Sequence, residues 1–448
     1  MKIILVGAGA VGGHLAGLIS RENHDITVID NDPEKIASIS ESLDVLPIVG
    51  NGTSPNLLSE AGIAKADMLI AVTAVDEVNI LACMIARQFG VKTKIARVRN
   101  REFSLEQEVL SPSSLGIDMI IHPELEATNE IVRLIRFPQA LEIIPFCKGG
   151  IVIVGIRVME GSPIAGKSLI DIDRVVSDVD FRLIAITRDG TGIIPHGKDH
   201  VQYDDIVYVS CRPENMNDMF MMTGQKEGES RHVMIYGASA IGRMVAEKLA
   251  SDKRVHIKVI EGDKHRGKLA AEELENVMVV IGEASNLDLI TQEGIIDQDV
   301  FVALTDDDEN NIVTSLLARH LKVPKTITLV GKSDYVPIVK TIGLDITINA
   351  NVLTSNAIFK YIRHKGVISL RHMIGIKGET IEFLVDAKSQ IVGKQIKDIK
   401  FPPGSIVVAI EHEHGPEIPV GSTNIYIGDK VVIFCLSESV KAVLKLFG

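Results

Sequence analysis

A glycine-rich loop near the start of the chain has the spacing that binds a pyrophosphate. It follows a short apolar run, opens a helical pattern, and consists of Gly7, Ala8, Gly9, Ala10, Val11 and Gly12. In such a G-x-G-x-x-G loop the first glycine permits a tight turn, the second lets the backbone approach phosphates, and the third allows close helix–strand packing. The helix N-terminus then offers free N–H groups and a partial positive charge. The loop therefore predicts nucleotide binding, against the alternative of a purely structural turn.

An acidic residue stands where the adenosine ribose of such a nucleotide would lie. Asp30 comes 18 residues after Gly12, at the end of the apolar run Ile26–Ile29. A carboxylate at this place accepts hydrogen bonds from the ribose hydroxyl groups. It would also repel a 2′-phosphate, which disfavours NADP and leaves NAD(H), ATP and ADP open as ligands.

Four further residues accompany predicted strands and are candidates to line the same crevice. Asn51 follows the third strand, Thr73 and Ala74 follow the fourth, and Arg97 lies within the apolar fifth. Open parallel sheets bind ligands at the carboxyl ends of their strands. A charge buried in a strand needs an anionic partner, for which the candidates are a phosphate and an internal carboxylate such as that of Asp67. For Asn51 and Thr73 the alternative is ordinary turn and cap chemistry.

The chain contains an internal duplication. Residues 71–98 and 303–330 are identical at eleven of 28 positions, at a constant offset of 232. The shared residues include the pairs Thr73/Thr305 and Asn79/Asn311, and further along Asp205 matches Asp429. Similarity at a fixed period indicates a repeated structural unit, so a second nucleotide fold is expected.

The second glycine loop departs from the first at positions that matter chemically. It consists of Gly237, Ala238, Ser239, Ala240, Ile241 and Gly242. Ser239 replaces the middle glycine, Glu261 takes the place of the acid, and Leu329 takes the place of Arg97. This crevice, with Thr305 at its edge, either binds a nucleotide to which Ser239 donates a hydrogen bond, or persists as a scaffold with an empty or altered site.

Two kinds of region must position these residues. The first part of each unit alternates short apolar runs with helical periodicity, which is typical of a doubly wound parallel sheet. The second part is richer in β-branched runs and predicts a small α+β domain. The predicted fold class is α/β, with two Rossmann-like domains that are each followed by a small α+β domain. The predicted boundaries are 1–137, 138–223, a linker at 224–231, 232–366 and 367–448.

The composition argues against several classes of protein. The 448 residues include 59 acidic and 47 basic side chains, which gives a net charge of −12. This acidity argues against nucleic acid as a partner and offers no polybasic contact for anionic lipid. No apolar stretch approaches the length of a spanning helix, and the run after Met1 is too short for a signal peptide. The four cysteines form no CxxC motif, as expected in a reducing cytoplasm.

Groups for catalysis are scarce. A dehydrogenase needs a substrate pocket and a proton-transfer group beside the nicotinamide, and neither small domain suggests them. His412 and His414 allow a metal site, but Gly415 and Pro416 directly after them favour a polar hairpin tip. The acids at 306–309 stand at a predicted helix start, where they favour the helix dipole; cation or nucleotide sensing is the alternative. We therefore expect no enzyme and no metal cofactor, with an NAD-dependent oxidoreductase as the rival hypothesis.

The order of the motifs resembles the regulator of potassium conductance (RCK, also KTN) family. GAGAVG, VIDND, AVTAVDEVNI and KIARV occur in turn, followed by a strand-rich module with a Gly-Lys turn like that of RCK-C domains. Two tandem copies imply a cytosolic regulatory subunit that binds NAD(H) and adenine nucleotides and gates a Trk-type transmembrane potassium transporter. The resemblance further implies a homo-oligomer, a dimer or a ring, peripheral on the cytoplasmic face of the inner membrane. The site residues it implies are Gly7 to Gly12, Asp30, Thr73 and Arg97.

Two helices are candidates to transmit nucleotide binding. They are predicted near 124–136 and 351–363 and have apolar faces, Ile131, Leu134 and Ile135 in the first and Ile358 and Ile362 in the second. A ligand shifts a conformational equilibrium only by its differential affinity for the two states. The hypothesis is that phosphate binding reorients the two nucleotide folds across an interface built by these helices. A channel fragment separated from its pore is a third possibility, disfavoured because the chain starts directly on the first strand.

Overall fold

The computed structural model describes residues 1–20, 24–100, 103, 111–175, 179–226, 228–332, 334–344, 346–362, 367–373 and 376–447. No helix within these residues combines the length and the apolar character needed to cross a membrane. The chain divides into two compact units, each of which draws on both copies of the repeat. One unit holds Met1–Ile131, Met234–Asp297 and Phe301–Ile362, and the other holds Val132–Val233, Gln298–Val300 and Arg363–Gly448.

The first nucleotide fold is a six-stranded sheet with helices between its strands. Its elements are β1 Lys2–Val6, α1 Ala10–Ser20, β2 Asp25–Asp30, α2 Pro33–Ser42, β3 Leu46–Val49, α3 Pro55–Glu60, β4 Met68–Ala71, α4 Asp76–Gln88, β5 Thr93–Arg97, β6 Met119–Ile121 and α5 Pro123–Arg136. The strand order is β3-β2-β1-β4-β5-β6, and every neighbouring pair is parallel. In this order the chain reverses its direction of travel across the sheet between β1 and β4, which leaves a crevice at the carboxyl edge.

Burial explains which strands have continuous apolar sequences. All four residues of β4 are buried, because a parallel strand in the middle of the sheet has helices on both faces. The edge strand β3 is mostly exposed at Leu46, Pro47 and Val49. A proline is tolerated there because an edge strand leaves some of its N–H groups unpaired.

The first small domain is an antiparallel sheet with two short helices. Its elements are β7 Ala140–Phe146, β8 Ile151–Arg157, α6 Leu169–Val175, β9 Phe181–Arg188, β10 Thr191–Ile193, β11 Ile206–Cys211 and α7 Met216–Met222. The strand order is β10-β9-β11-β8-β7. The helix α6 follows the predicted turn at Gly166 and Lys167, where Gly166 has φ +78°. A positive φ of this size favours glycine, which explains the Gly-Lys pattern.

The second nucleotide fold repeats the first. Its elements are β12 His232–Tyr236, α8 Ala240–Ala250, β13 His256–Glu261, α9 Lys264–Glu273, β14 Val277–Ile281, α10 Leu287–Gln292, β15 Val300–Ala303, α11 Asp308–His320, β16 Lys325–Leu329, α12 Tyr335–Thr341, β17 Ile346–Ile348 and α13 Ala350–Ile362. The strand order β14-β13-β12-β15-β16-β17 is the same arrangement as in the first fold.

The second small domain repeats the topology of the first. Its elements are β18 Val367–His372, β19 Gly378–Leu384, β20 Ser405–His412, β21 Gly415–Glu417, β22 Lys430–Leu436 and α14 Val440–Phe447, in the strand order β18-β19-β22-β20-β21. A 3-10 turn at Ile396–Asp398 stands in the second small domain at the place of helix α6 in the first. The predicted hairpin is present, because His412 ends β20, His414 lies in the turn, and Gly415 begins β21. The four domains together confirm the predicted fold class.

Two helices join the nucleotide folds within their compact unit. Helix α13 of the second fold packs against α1 of the first, and Ser355 Oγ donates a hydrogen bond to the Val11 carbonyl at 3.3 Å. In the reciprocal contact, Lys248 Nζ in α8 donates to Asn129 Oδ1 in α5. The helices predicted near 124–136 and 351–363 therefore form, and residues of both contact the other nucleotide fold.

The two small domains share one apolar core. It contains residues of both sheets, among them Tyr208 and Phe434, which are 1% and 0% exposed. Phe434 also fills the space beside Gly378, where a Cβ would approach its ring to 2.6 Å.

We expect Phe434→Ala to reduce the stability of the paired small domains by about 3–5 kcal/mol, through lost transfer free energy and the cavity left behind. Guanidinium unfolding followed by circular dichroism measures the change. Tyr203→Ala, at a tyrosine that is 63% exposed, is the control and should change stability by no more than about 0.5 kcal/mol. Equal effects of the two substitutions would contradict the shared core.

Candidate functional site

A cavity of about 570 Å³ opens where the strand order of the first fold reverses. Nine of the eleven residues predicted for the first site line it: Gly7, Gly9, Ala10, Val11, Asp30, Asn51, Thr73, Ala74 and Arg97. Ala8 and Gly12 belong to the same loop but are not part of the lining. The sequence therefore located the residues that meet at this crevice, and its volume is in the range of small-ligand sites.

Two of the three glycines in the first loop are required by close contacts within the protein, and the third borders the open crevice. Gly7 has φ +109°, and a Cβ there would lie 2.9 Å from the Thr73 nitrogen. A Cβ on Gly12 would lie 1.9 Å from the Gly7 carbonyl oxygen, so only glycine allows α1 to begin this close to β1. A Cβ on Gly9 would meet nothing within 4 Å, because this position faces the open crevice. The free space above Gly9 is where a ligand can approach the backbone.

Asp30 is held in place by backbone groups. Its Oδ2 accepts a hydrogen bond from the Ala8 N–H at 2.6 Å, and its Oδ1 accepts from the Asp32 N–H at 2.9 Å. These contacts fix the carboxylate beside the glycine loop at the end of β2. A carboxylate oxygen can accept more than one hydrogen bond, so Asp30 retains acceptor capacity toward the cavity.

Asn79 connects the two strand ends on the other side of the crevice. This side chain is fully buried in α4. Its Oδ1 accepts from the Thr73 N–H at 2.9 Å and from Thr73 Oγ1 at 2.8 Å, while its Nδ2 donates to the carbonyls of Thr73 and Arg97 at 3.1 and 2.8 Å. The amide oxygen thus accepts two hydrogen bonds and the amide nitrogen donates two. Asn79 therefore fixes the end of β5 relative to the loop after β4.

Arg97 is a buried cation that lines the cavity. It is 8% exposed, and its Nε has no hydrogen-bond partner within the described part of the chain. Burial, and next the charge of Arg99, lower the pKa of its guanidinium, while Glu124 and Asp76 act in the opposite direction. The proposed carboxylate partner Asp67 is wrong: it precedes β4 at the opposite edge of the sheet and accepts from the Lys2 N–H at 2.8 Å. An anion that enters the cavity is the partner this geometry favours.

The side chains of Asn51 and Thr73 also form hydrogen bonds within their own turns, which is the alternative role considered for them. Asn51 Oδ1 accepts from Thr53 N and Thr53 Oγ1 at 3.0 and 2.8 Å. Thr73 Oγ1 accepts from the Val75 N–H at 3.3 Å. Both residues shape the crevice through these turns, and any contact of their side chains with a ligand stays a prediction.

Four polar lining residues, Asn31, Lys35, Arg99 and Asn351, were not predicted. Lys35 and Arg99 add positive charge to the cavity, and Asn351 comes from the second nucleotide fold. Lys35 lies on the exposed face of α2, where a lysine is unremarkable in sequence. Asn351 reaches this cavity only because its helix packs on α1, and no local pattern announces such a contact. Asn79 was visible as an identity of the repeat, and a polar side chain inside an apolar helix face was the signal that could have assigned it.

The second crevice keeps the backbone arrangement of the first. Gly237 has φ +102°, and a Cβ on Gly242 would lie 2.1 Å from the Gly237 carbonyl oxygen. Ala240, Ile241 and Gly242 form the first turn of α8. Glu261 accepts from the Ala238 N–H at 2.6 Å, as Asp30 accepts from Ala8.

The loop after β15 repeats that arrangement too. Asn311 Oδ1 accepts from the Thr305 N–H at 3.0 Å, and Asn311 Nδ2 donates to the carbonyls of Thr305 and Leu329 at 2.9 and 3.1 Å. Both crevices thus have the same scaffold.

The side chains of the second crevice differ from those of the first. Ser239 Oγ is turned inward, donates to the Leu304 carbonyl at 2.5 Å and accepts from the Gly242 N–H at 3.2 Å. It therefore occupies one of the N–H groups that a phosphate would use. Arg266 Nη2 lies 3.2 Å from Glu261 Oε1, and Arg266 Nη1 lies 3.1 Å from Asp306 Oδ2.

A hydrogen-bonded group fills part of the second crevice. Glu283, at the position of Asn51, accepts from the Tyr236 hydroxyl at 2.6 Å, and Asn310 Nδ2 donates to the same hydroxyl at 2.8 Å. Burial, and next the bond to Glu283, raise the pKa of Tyr236. With Leu329 at the position of Arg97, this crevice has gained a carboxylate and lost a guanidinium, which makes it less favourable to phosphates.

The acids at 306–309 have mainly structural partners. Asp307 is the N-cap of α11 and accepts from the Asn310 N–H at 2.9 Å. Asp308 accepts from the N–H groups of Gly331 and Lys332 at 2.7 and 2.8 Å. Asp76 makes the equivalent bonds in the first fold, to the N–H groups of Arg99 and Asn100 at 2.9 and 2.8 Å. The helix-start interpretation is thus confirmed for Asp307.

Family models match both copies of the repeat. The TrkA-N domain matches residues 3–123 and 233–350, and the TrkA-C domain matches residues 153–224 and 380–448. A Trk system potassium uptake protein TrkA homolog of Methanosarcina mazei is 36% identical over 100% of both chains. The Trk system potassium uptake protein TrkA of Vibrio alginolyticus is 33% identical over 98% of this chain and 96% of its own. The chain belongs to the TrkA family.

Solved structures agree with the fold of this TrkA-family protein. The crystal structure of the GsuK RCK domain covers 100% of this chain and 94% of its own, at 19% identity and a TM-score of 0.63. The GsuK channel bound to NAD covers 100% of this chain and 78% of its own, at 18% identity and a TM-score of 0.62. These similarities confirm the tandem RCK architecture that the motif order suggests.

We expect Asn79→Ala to deprotect the Thr73 amide in hydrogen exchange. The substitution removes the acceptor of the Thr73 N–H and the donor to two carbonyls, and a buried group left without a partner costs about 1–3 kcal/mol. Asn311→Ala is the matched control, which should deprotect Thr305 and leave Thr73 unchanged. Identical Thr73 exchange in wild type and Asn79→Ala would show that Asn79 does not fix this loop.

Proposed function

We propose that this protein is the peripheral regulatory subunit of a Trk-type potassium uptake system, and that it gates the membrane transporter according to the nucleotide bound in its first crevice. The observation that carries this proposal is Arg97, a buried guanidinium that lines the cavity and whose Nε has no hydrogen-bond partner among the described residues. The family supports the transport role, since the curated relatives are named as potassium uptake proteins.

The crevice suits an extended adenine nucleotide. Asp30 and Lys35 lie at one end of the lining, Gly9 and the N-terminus of α1 at its middle, and Thr73 and Arg97 at the other end. The adenosine ribose would bind Asp30, the pyrophosphate would lie over Gly9, and Arg97 would bind the phosphates or the distal half of the ligand. NAD(H) is the ligand that uses the whole crevice, and ATP and ADP are the alternative regulatory ligands. One of the GsuK channel structures is described as bound to NAD, and another as bound to ADP.

The second crevice is proposed as the weaker nucleotide site. Its residues Gly237 to Gly242, Glu261 and Thr305 keep the nucleotide scaffold, but the Ser239 hydroxyl is engaged with Leu304 and Glu283 adds a carboxylate. A phosphate entering there would have to displace these bonds and would meet no guanidinium from β16. A hydrogen bond from Ser239 to a nucleotide stays a prediction that requires its hydroxyl to turn.

Nucleotide binding at the first crevice can act on the second fold through direct contacts. Asn351 of α13 lines the first cavity, and Ser355 of the same helix bonds to Val11 in the glycine loop. Any movement of the loop on phosphate binding therefore also moves its contact with α13. A ligand that binds one arrangement of α1 and α13 better than another will shift the equilibrium toward it.

The rival hypothesis, an NAD-dependent oxidoreductase, finds less support at this site. The described residues that line the first cavity include no histidine, tyrosine or cysteine. Asp30, the one carboxylate among them, and Lys35 lie at the end assigned to the ribose. A hydride-transfer enzyme needs a proton-transfer group beside the nicotinamide. Sustained oxidation of NADH by the pure protein with a carbonyl substrate would favour this rival.

The assembly and location are proposed on family grounds. We expect a homo-oligomer, a dimer or a ring of chains, on the cytoplasmic face of the inner membrane beneath the transporter. Co-purification of the full chain with the transporter subunit in detergent, and the mass of the complex, test both statements.

Arg97→Leu should weaken the binding of NADH, ADP and ATP by about tenfold to 100-fold, because a hydrogen bond to a charged group contributes about 1.5–3 kcal/mol. It should leave the binding of adenosine nearly unchanged, since adenosine has no phosphate. Isothermal titration calorimetry measures both. Leu329→Ala at the equivalent position of the second copy is the control, and equal affinities of wild type and Arg97→Leu for ADP would refute the role of Arg97.

Asp30→Ala should weaken NADH binding and abolish the effect of NADH on potassium uptake, because the carboxylate both positions Ala8 and accepts from the ribose. The uptake is measured as potassium flux into vesicles that contain the transporter and the purified protein. Asp30→Asn is the second variant, which should raise NADPH affinity relative to NADH because the repulsion of a 2′-phosphate is gone. Unaltered NADH affinity and transporter response in Asp30→Ala would overturn the proposed site.

A further inference from the structure

A cluster of metal-binding side chains lies at the tip of the β20–β21 hairpin, which no nucleotide site uses. His412, His414 and Glu417 each offer one donor atom there, and these atoms lie within 4.8 Å of one another. The rings of His412 and His414 are nearly parallel, with centroids 4.9 Å apart. His412 Nε2 lies 3.6 Å from Glu417 Oε1. Two imidazoles and a carboxylate are a donor set that borderline divalent transition metals prefer.

The buried ring of His412 lies next to Asp429, on the side opposite Glu417. The His412 side chain is 5% exposed, and its Nδ1 lies 2.9 Å from Asp429 Oδ2, in a geometry that falls short of a hydrogen bond. Asp429 is itself held, because its Oδ2 accepts from the Tyr426 N–H at 2.7 Å. A carboxylate beside Nδ1 favours the proton on that nitrogen and leaves the lone pair on Nε2, which faces Glu417. Ligating histidines in metal sites have such a partner on their second nitrogen.

The equivalent hairpin of the first small domain, β9–β10, lacks the two histidines and the glutamate. In the hairpin registers Arg188 pairs with Thr191, and His412 pairs with Gly415, so Arg188 and His412 are equivalent. Arg188 forms a two-point ion pair with Asp205 at 2.8 and 2.7 Å. Asp205 accepts from the Gln202 N–H at 2.7 Å, as Asp429 accepts from Tyr426.

The equivalents of the other two donors cannot bind a metal. By the same register, Gly190 and Ile193 stand in the first domain where the second has His414 and Glu417. The second domain thus keeps the aspartate, replaces its arginine by an imidazole, and adds two donor groups whose ligand atoms lie within 4.8 Å of that imidazole's donor nitrogen and of each other. A histidine at the position of Arg188 would be enough to contact the aspartate. The two additional donor groups, His414 and Glu417, have no part in that contact, and they point to a ligand.

We propose that the β20–β21 hairpin binds a divalent transition-metal ion of the Zn²⁺ class. His412 Nε2, the His414 imidazole and the Glu417 carboxylate are the ligands, a water completes the four-coordinate shell, and Asp429 positions His412. Zinc–nitrogen distances of about 2.0–2.1 Å require donors roughly 3.3 Å apart. His414 is exposed and Glu417 is partly exposed, so both side chains can close onto the ion around the fixed ring of His412.

Metal binding at this tip would affect the contact between the two small domains. The hairpin carries Pro416, whose carbonyl accepts a hydrogen bond from Arg212 of the first small domain at 3.2 Å. Arg182 of that domain donates to the Pro419 carbonyl just beyond the hairpin. An ion that joins β20 to β21 next to Pro416 would stiffen this contact, which is independent of the nucleotide crevices.

The test is a calorimetric titration of the chelator-treated full chain with ZnCl₂, together with the visible spectrum of the Co²⁺-loaded protein. We expect one site per chain whose affinity falls by about tenfold or more in His414→Ala and in Glu417→Gln, since even outer-shell changes cost about 10–100-fold in metal sites. A tetrahedral Co²⁺ spectrum should be present in wild type and lost in His414→Ala. His196→Ala, at an exposed histidine of the first small domain, is the control and should retain both.

Two outcomes would overturn the proposal. One is an equal Zn²⁺ affinity of wild type and His414→Ala, which would reduce His412 to an ion-pair partner of Asp429. The other is an equal loss of affinity in His196→Ala, which would indicate binding to surface imidazoles in general. His414 and Glu417 lie at the surface of the hairpin. Equal melting temperatures of the metal-free variants and of the metal-free wild type would confirm that the fold is intact.

Discussion

The first nucleotide fold is governed by one buried positive charge, the guanidinium of Arg97. Arg97 ends a strand whose other residues are largely buried, and Glu124 and Asp76 act on it only at longer range. A buried cation whose Nε has no partner among the described residues is unfavourable, and in the proposed function a phosphate in the crevice would compensate its charge. Asn79 and the Gly7–Gly12 contact fix the backbone on either side, which prevents the crevice from collapsing around the charge. The proposed ligand would thus be part of the electrostatic balance of the protein.

Duplication separates the residues that build the fold from those that carry its chemistry. Asn79 and Asn311 make the same bonds, as do Asp76 and Asp308, because both copies need their strand ends tied to their loops. Several differences between the copies concern side chains that face a crevice or a hairpin tip. Examples are Arg97 against Leu329, Asn51 against Glu283, and Arg188 against His412. Each copy therefore serves as a reference for the other.

Sequence patterns predict what is local and miss what depends on packing. The glycine loop, Asp30 and the buried strands were predictable because their spacing is dictated by the backbone. The edge strand β3 is different: Pro47 interrupts its apolar residues and most of the strand is exposed, so its sequence does not predict a buried strand. Asn351 could not be assigned to the first crevice, since its place there depends on how α13 packs on α1. The inward turn of the Ser239 hydroxyl depends on the nearby Leu304 carbonyl, 65 positions away in sequence.

The packing of α13 on α1 has a consequence for how one crevice can control a two-copy protein. Helix α1 begins at the glycine loop, so the N–H groups that would bind a phosphate and the carbonyl that accepts from Ser355 belong to the same first turn. A phosphate that draws this turn toward itself must either move α13 with it or stretch the bond to Ser355. Packed interfaces respond to such a demand by changing between discrete arrangements rather than by deforming gradually. A single nucleotide can therefore alter both folds even if the second crevice is vacant.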